Sequence, residues 1–360
     1  MHRLGYTAVG AAVSLGAIAT FRTPALPQLA DMIASRKNAV VFIEAEPRHG
    51  VVKEHELGSG FFIDRNGNIV TASHVTGDTT KIYVQLWNGD TAPAKVVGED
   101  IFNDTTVIKV DKKLAQKVTP LQFCNSDLVR QGDPVVVVGH PGGDPNIIVT
   151  TGNVSHVHGD ANGSWQGRDV IRWSAFTDKG DSGGAALSAS GCVVAMTDSI
   201  IPVLDPFTGQ SVSTGVGYGV AANTLAFVAG EIIKNGAVGD RRLHLTVADA
   251  LPKGRSEDDG QPRKTVGALV KSVDPGSAAV LAGIKPGDII VEFNETPIGS
   301  AGDFVRDTYL VPSGSDYRLI FMRDNVRQTA DLVMGDYARP PTPKSPTSRT
   351  SPVTEIAPGL

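Results

Sequence analysis

Residues 180–184 read Gly180–Asp181–Ser182–Gly183–Gly184, and the chemistry they invite governs how the rest of the chain is read. A serine hydroxyl is a poor nucleophile until a base takes its proton. The flanking glycines let the chain turn sharply, so the backbone N–H groups of Gly180 and Ser182 can converge on a developing oxyanion. One such donor is typically worth about 2.7–4 kcal/mol in a transition state. Upstream, Ile69–Val70–Thr71–Ala72–Ser73–His74–Val75 reads as a strand that delivers a histidine to its end. Between them, Asn103–Asp104–Thr105–Thr106–Val107–Ile108–Lys109–Val110 sets an acid just ahead of another apolar strand. Alone, each segment has a plain alternative: a Gly/Ser turn, an ordinary histidine, a turn acid. Together they suggest His74 as general base, Asp104 as the group that fixes its tautomer, and Ser182 as nucleophile.

The chain order His–Asp–Ser is the chymotrypsin-like one, unlike that of subtilisin or the α/β-hydrolases. The surrounding pattern agrees with that order. Short apolar runs are expected as strands at Ala39–Glu44, Gly60–Ile63, Ile69–Ala72, Lys81–Leu86, Ala94–Gly98, Thr106–Val110 and Pro134–Val138. More follow at Ile147–Gly152, Val170–Arg172, Gly191–Thr197 and Gly215–Ala221. Turn signals such as Asp64–Arg65–Asn66–Gly67 and Asn88–Gly89–Asp90 separate them. Such spacing without long helices predicts barrels or a sandwich. A helix is expected over Thr224–Lys234, ended by Asn235–Gly236.

A second block, Arg241 to Gly335, alternates strands with short helices: strands at Leu243–Val247, Ala268–Val273 and Asp288–Glu292, a helix at Ser277–Ala282, and a closing hairpin, Arg318–Met322 with Ala330–Val333. The charged stretch Lys253–Lys264 reads as a solvated loop. From Arg339 onward Pro, Ser and Thr dominate, too polar to repay chain entropy, so this tail is expected to be disordered. The N-terminus pairs Arg3 with an uncharged run from Leu4 to Phe21 and an Ala17–Ile18–Ala19 cleavage pattern. That is the form of a secretory signal, with an uncleaved anchor as the alternative.

The chain has 360 residues and a formal net charge of −5. That length suits about two domains, and the absence of a basic excess argues against a nucleic-acid partner. Glycine accounts for 40 of the 360 residues, above the average of about 7%, as a strand-and-turn protein requires. Cys124 and Cys192 cannot form a disulfide framework or a four-ligand zinc site by themselves, and read more readily as two buried thiols than as a bridge. No Gly-x-x-x-x-Gly-Lys-Ser/Thr motif occurs. His156 and His158 lack an evident third ligand. No cofactor and no metal are expected.

Further motifs carry a resemblance. Leu29–Ala30–Asp31 leads to Ala39–Val40–Val41–Phe42–Ile43, followed by Gly58–Ser59–Gly60–Phe61–Phe62, Asn66–Gly67 and Thr71–Ala72–Ser73–His74–Val75. Then come Val137–Val138–Gly139–His140–Pro141–Gly142 and Gly217–Tyr218–Gly219–Val220–Ala221–Ala222–Asn223. In the second block stand Gly267–Ala268–Leu269–Val270 and Ala282–Gly283–Ile284–Lys285–Pro286–Gly287–Asp288–Ile289–Ile290. Over residues 26–335 the chain resembles the HtrA/Deg family, a chymotrypsin-like serine protease followed by a PDZ domain. The resemblance implies a mainly β protein: two six-stranded barrels with the triad His74, Asp104 and Ser182 between them, then an α+β PDZ domain. It implies an oxyanion loop of Gly180, Asp181 and Ser182, a homotrimer built through the N-terminal part of the protease block, and unfolded or misfolded polypeptides as substrates. The divisions expected are 1–25 signal peptide or membrane anchor, 26–236 protease, 237–336 PDZ and 337–360 tail. The location expected is the periplasm, free or anchored at the inner membrane.

The chain departs from the family at several points. Asp178–Lys179–Gly180–Asp181–Ser182 stands where the family has Asn-Pro-Gly-Asn-Ser, and His140 where it has Asn. Loss of the proline leaves the stiffness of the loop open, and a latent resting state with it; the alternative function is a proteolytically latent or inactive PDZ-bearing chaperone or scaffold. Phe176, six residues before Ser182, replaces the acid that would neutralise a basic side chain. With Val216, Gly217 and Tyr218 it suggests an apolar specificity pocket for small or medium aliphatic residues. The resemblance places PDZ capture of a peptide's terminal carboxylate at Arg241–Arg242–Leu243–His244–Leu245, with His244 where glycine is common. A helix bearing Phe304 and Thr308 would flank that groove.

Overall fold

The computed structural model describes residues 26–47, 55–157, 168–204, 211–239, 243–252, 254 and 265–335. The expected signal or anchor at 1–25, Arg241 and Arg242, most of the 253–264 loop, His158 and the tail from 337 lie outside these residues. Among the described residues no helix is long and apolar enough to cross a membrane.

The described residues begin with a helix that the sequence did not advertise, α1 (Leu26–Arg36), whose Leu29, Met32 and Ile33 pack against the core. Six strands follow: β1 (Val40–Pro47), β2 (Glu56–Phe62), β3 (Asn68–Ala72), β4 (Thr79–Gln85), β5 (Thr91–Asp100) and β6 (Thr105–Lys109). They close into an antiparallel barrel in the order β1-β2-β3-β6-β5-β4. A four-residue helix, α2 (Ser73–Thr76), caps β3, and α3 (Lys112–Ala115) follows β6. The second barrel is built from β7 (Pro134–Gly139), β8 (Ile148–His156), β9 (Val170–Trp173), β10 (Ala185–Ser188), β11 (Val193–Leu204) and β12 (Ser211–Ala221), in the order β10-β11-β12-β9-β8-β7. Closure leaves no sheet edge open to pairing.

Runs such as Ile69–Val70 and Val107–Ile108 have both side-chain faces buried, which is why they read as continuous apolar stretches rather than alternating ones. One face fills the barrel. Outside β5 and β6 lies α4 (Ala222–Asn235), which lays Leu225, Val228, Ala229 and Ile232 against the first barrel and ends at Gly236 with φ 78°. The chain thus leaves the second barrel and straps back over the first.

Cys124 and Cys192 form a disulfide, which corrects the expectation of two free thiols. An isolated parallel bridge, Phe123 with Val193, and the bond from Cys124 N–H to Val193 O at 2.8 Å bring the two residues side by side. That pairing joins the inter-barrel segment to β11, and no spacing in the sequence reveals it.

The second block is one antiparallel sheet of β13 (Leu245–Asp249), β14 (Ala268–Val273), β15 (Ile289–Phe293), β17 (Asp316–Arg323) and β18 (Val326–Val333) in that order, with the short β16 (Thr296–Pro297) beside β15. Helices α5 (Ala278–Leu281) and α6 (Ala301–Tyr309) complete it. Phe293, Phe304 and Tyr317 are central to the core. Asp288, 1% exposed, accepts two hydrogen bonds from Arg323, at 2.7 and 2.6 Å, and a third from Lys285 N–H at 2.8 Å. Those bonds give the Lys285–Pro286–Gly287–Asp288 motif its physical reason: the acid pins the turn that starts β15.

Candidate active site

The three expected residues arrive from different elements. His74 sits in α2, directly beyond β3. Asp104 occupies the turn between β5 and β6 at φ 48°, a left-handed conformation that Asp tolerates better than most residues. Its carboxylate accepts from the His74 backbone N–H at 2.9 Å and pairs with the ring Nδ1 at 2.6 Å. Its carbonyl accepts from Ser73 N–H at 3.0 Å. With Nδ1 directed at Asp104, the tautomer that leaves Nε2 as an acceptor is favoured.

Electrostatics follow from that pairing. Burial pulls His74 down, but the hydrogen bond and charge of Asp104, with the charges of Asp198 and Glu56, outweigh it and hold the ring above 6.5. Burial pushes Asp104 up, and its bonds to His74 and to Asp198 more than reverse this, leaving it below the usual carboxylate range.

Ser182 lies in the loop after Gly180, and the missing proline there is replaced by a net of hydrogen bonds. Asp181 N–H donates to Asp178 O at 3.1 Å, Asp178 N–H to the Asp181 carboxylate at 3.0 Å, and Gly142 N–H to Lys179 O at 2.6 Å. Gly180 takes the third position of that turn at φ 94°, where a Cβ would also lie 2.4 Å from His140 O. Gly183, at φ 85°, is held by a different crowding: a Cβ there would stand 2.0 Å from Ser59 O. Among the described residues the Gly180 and Ser182 N–H groups donate to no protein acceptor. The Asp181 side chain is buried, and that burial pushes its carboxyl up to about 6.

The structure departs from the expected geometry at one point. The Ser182 hydroxyl donates to the main-chain carbonyl of Asp198 at 3.0 Å and makes no hydrogen bond to the His74 ring. His74 and Asp104 are thus paired, while the serine is turned to β11.

Sequence reasoning missed four contributors: Ser59, Asp198, Arg168 and Tyr309. Ser59 of β2 ties the first barrel to the serine loop. Its N–H donates to Ser182 O at 2.8 Å, and its hydroxyl donates to Gly180 O at 2.8 Å and accepts from His140 N–H at 3.0 Å. Asp198 of β11 pairs with Arg168 at 3.1 Å, and burial and the charge of Asp104 push it up to about 7 against the pull of Arg168. Its signal was an acid just beyond the apolar run Val193–Val194–Ala195–Met196, a pattern that a strand does not need. The fourth is Tyr309, at the end of α6. It hydrogen-bonds Asp100 and stacks on Phe102 at 5.2 Å and 15°, so the second block touches the turn that carries Asp104. The inward-facing atoms of His74, Asp104 and Asp198 lie within 4.8 Å of one another, close enough to hold a cation. Their mutual hydrogen bonds and Arg168 already occupy that space.

The expected pocket is only partly assembled as read. A Cβ on Gly215 would lie 3.1 Å from the exposed Phe176 ring, and one on Gly217 would meet Thr177 Oγ1 and Trp173 Nε1. Gly219 faces the Trp173 ring as well. Strand alternation then turns the buried Tyr218 to the opposite face, so it does not line this wall. Val216 is half-buried and donates its N–H to Thr214 Oγ1 at 3.3 Å. The segment expected to hold a peptide carboxylate is described from Leu243 onward. Leu243 is 7% exposed and packs into the sheet's core. His244 takes the left-handed φ of 55° that glycine would favour, and its buried ring faces Asp274 at 3.6 Å. Leu245 opens β13. Phe304 packs on Phe293 and Thr308 is buried, so α6 presents both to the core.

Two closed six-stranded barrels with a His–Asp pair and a serine loop at their junction define a trypsin-like peptidase fold. Comparison with known proteins agrees: residues 58–196 match the trypsin-like peptidase domain and residues 244–333 the PDZ domain. The chain belongs to the HtrA/DegP family of serine proteases with a PDZ domain. A probable periplasmic serine endoprotease, DegP-like, of Rhizobium meliloti is 32% identical over 286 residues, 79% of this chain and 54% of the relative. The periplasmic serine endoprotease DegP of Escherichia coli K12 is 30% identical over 280 residues, 77% and 56% respectively. The chain therefore spans about half the length of these relatives. The solved HtrA-type protease AlgW with tripeptide is 26% identical with a TM-score of 0.69, covering 87% of this chain and 98% of that one.

Proposed function

We propose that the chain is an ATP-independent serine endopeptidase that cleaves unfolded or misfolded polypeptides in the periplasm. His74 takes the Ser182 proton, Asp104 holds the His74 ring, and Ser182 Oγ attacks the scissile carbonyl. The resulting oxyanion is received by the N–H groups of Gly180 and Ser182, and His74 then returns the proton to the leaving amine. The observation that carries this reading is the double grip of Asp104 on His74, by ring and by backbone, beside a serine loop with two uncommitted N–H donors. The exposed Phe176 ring beside Gly215, with no acid in its place, favours small or medium aliphatic side chains over Lys or Arg. The sheet around β13 and α6 would take the C-terminal ends of peptides, and the family resemblance favours a homotrimer. The test is fluorophosphonate labelling and casein digestion, with Ser182→Ala as control. Labelling and digestion by the native protein alone support the reading, and neither on a folded protein sinks it.

The orientation of the Ser182 hydroxyl favours a second, compatible reading, a latent resting state. Attack requires the hydroxyl to leave the Asp198 carbonyl and turn to His74. Labelling that rises on addition of peptides ending in apolar residues would support latency; a rate unaffected by such peptides would count against it.

A further inference from the structure

β11 holds an acid directly after the buried stretch Val193–Thr197: Asp198 is 2% exposed. It touches each part of the site. Its carboxylate pairs with the Arg168 guanidinium at 3.1 Å, with side-chain exposures of 3% and 10%. Its carboxyl also hydrogen-bonds Asp104. Its main-chain carbonyl holds the Ser182 hydroxyl. Two carboxylates this close cannot both ionise without strong repulsion, so one proton is retained between them. Asp104 already accepts from the His74 ring and backbone, which favours its charged form and leaves the proton on Asp198.

We propose that Asp198 is a positioning residue, whose carboxyl, fixed by Arg168, donates a hydrogen bond to Asp104 and thereby determines how firmly Asp104 holds the His74 ring. The proposal rests on the reading of His74, Asp104 and Ser182 as a triad. The charged groups that face Asp198 are Asp104 from the turn ahead of β6, His74 from α2 and Arg168 from the segment ahead of β9; Glu56 of β2 adds to the field at His74. While Asp198 keeps its proton, one negative charge faces His74. Once Asp198 ionises, a second does, and the imidazolium is favoured to higher pH. Asp198 thus delays the appearance of the neutral base as pH rises.

The test compares the native chain with Asp198→Asn and Asp198→Ala. In Asp198→Asn the amide N–H replaces the carboxyl donor but no second charge can form. The acid limb of kcat/KM should move down by at least about half a pH unit, with the plateau within about fivefold of native. Asp198→Ala removes the donor and leaves Arg168 without this partner, and its plateau should fall at least about tenfold. A role confined to packing would lower the unfolding midpoint and leave the acid limb in place, which would overturn the proposal. A second readout needs no turnover: the His74 ring is titrated by NMR in Ser182→Ala and in Ser182→Ala/Asp198→Asn. A downward shift between the two supports the coupling, and none overturns it. An inactive native chain with a shifted titration sinks the triad reading alone. An active one with an unshifted titration sinks the Asp198 proposal alone. Should Asp198→Asn fail to fold, Asp198→Ser, a neutral side chain that keeps a hydroxyl donor, carries the same two measurements.

Discussion

Replacing Ser59 with alanine removes one oxygen and should disturb both barrels. The Ser59 side chain is fully buried, and its hydroxyl donates to Gly180 O at 2.8 Å, accepts from His140 N–H at 3.0 Å and lies 3.1 Å from His140 Nδ1. A hydroxyl has one proton and two lone pairs. Since that proton goes to Gly180, the ring must carry its own proton on Nδ1 and donate it to Ser59. Burial pushes His140 down to about 4, so the ring is neutral at pH 7 and holds one such proton. Ser59→Ala therefore leaves the Gly180 carbonyl and two His140 N–H groups unpaired. Each buried orphan costs about 1–3 kcal/mol, partly offset because the hydroxyl itself no longer needs burial. The expected loss is about 3 kcal/mol. Trp87, Trp165 and Trp173 are the only tryptophans and all precede the PDZ block. Tryptophan fluorescence in urea therefore reports on the barrels alone. At about 15 °C, where the variant stays folded, kcat/KM should also fall at least about tenfold, because Gly180 belongs to the proposed oxyanion loop. A stability loss below about 1 kcal/mol with unchanged kcat/KM would refute the claim that this hydroxyl holds the loop.

Three further outcomes are expected. Cys124→Ala/Cys192→Ala opens a loop of 68 residues and should cost about 4 kcal/mol by the chain-entropy relation, read as a lower urea midpoint that dithiothreitol reproduces in the native chain. Asp181→Asn should stabilise the barrels at pH 7. Asp181 holds its proton to about 6 when folded, against 3.8 unfolded, so it costs stability as pH rises from about 4 to 6 and by a constant amount above that. The gain should therefore be of order 2 kcal/mol at pH 7 and vanish below pH 4, and a pH-independent effect would contradict it. Asp288→Ala takes away both carboxylate bonds of Arg323, leaving it the Gly283 carbonyl, and frees the Lys285 N–H, costing about 3 kcal/mol, seen as faster amide exchange across residues 265–335 with the tryptophan transition unmoved.

The barrels were legible because β-branched runs such as Val135–Val138 and Val107–Ile108 have few other uses, and because Asn66–Gly67 and Asn88–Gly89 mark where they turn. β10 was not legible: Ala185–Ala186–Leu187–Ser188 is short and small, and only its place between β7 and β11 makes it a strand. α1 was hidden because a leader-like run obscures the start of an amphipathic helix. In the site, His74, Asp104 and Ser182 stood out by residue type and local setting. Asp198, Ser59 and Arg168 act through partners distant in sequence, 30 residues for the Arg168–Asp198 contact and 121 for Ser59–Gly180. Tyr218 was assigned to the wrong face because one residue of register reverses every side chain on a strand.

The Tyr309 contact has a thermodynamic corollary. α6 borders the expected peptide groove and also rests on Asp100 and Phe102, in the turn that delivers Asp104. Binding free energies around a closed cycle must balance. By whatever factor a peptide in that groove alters the affinity of an inhibitor for the barrels, the inhibitor alters the affinity of the peptide by the same factor. The groove can therefore be calibrated from the far end, by titrating a labelled peptide with and without a ligand held at Ser182.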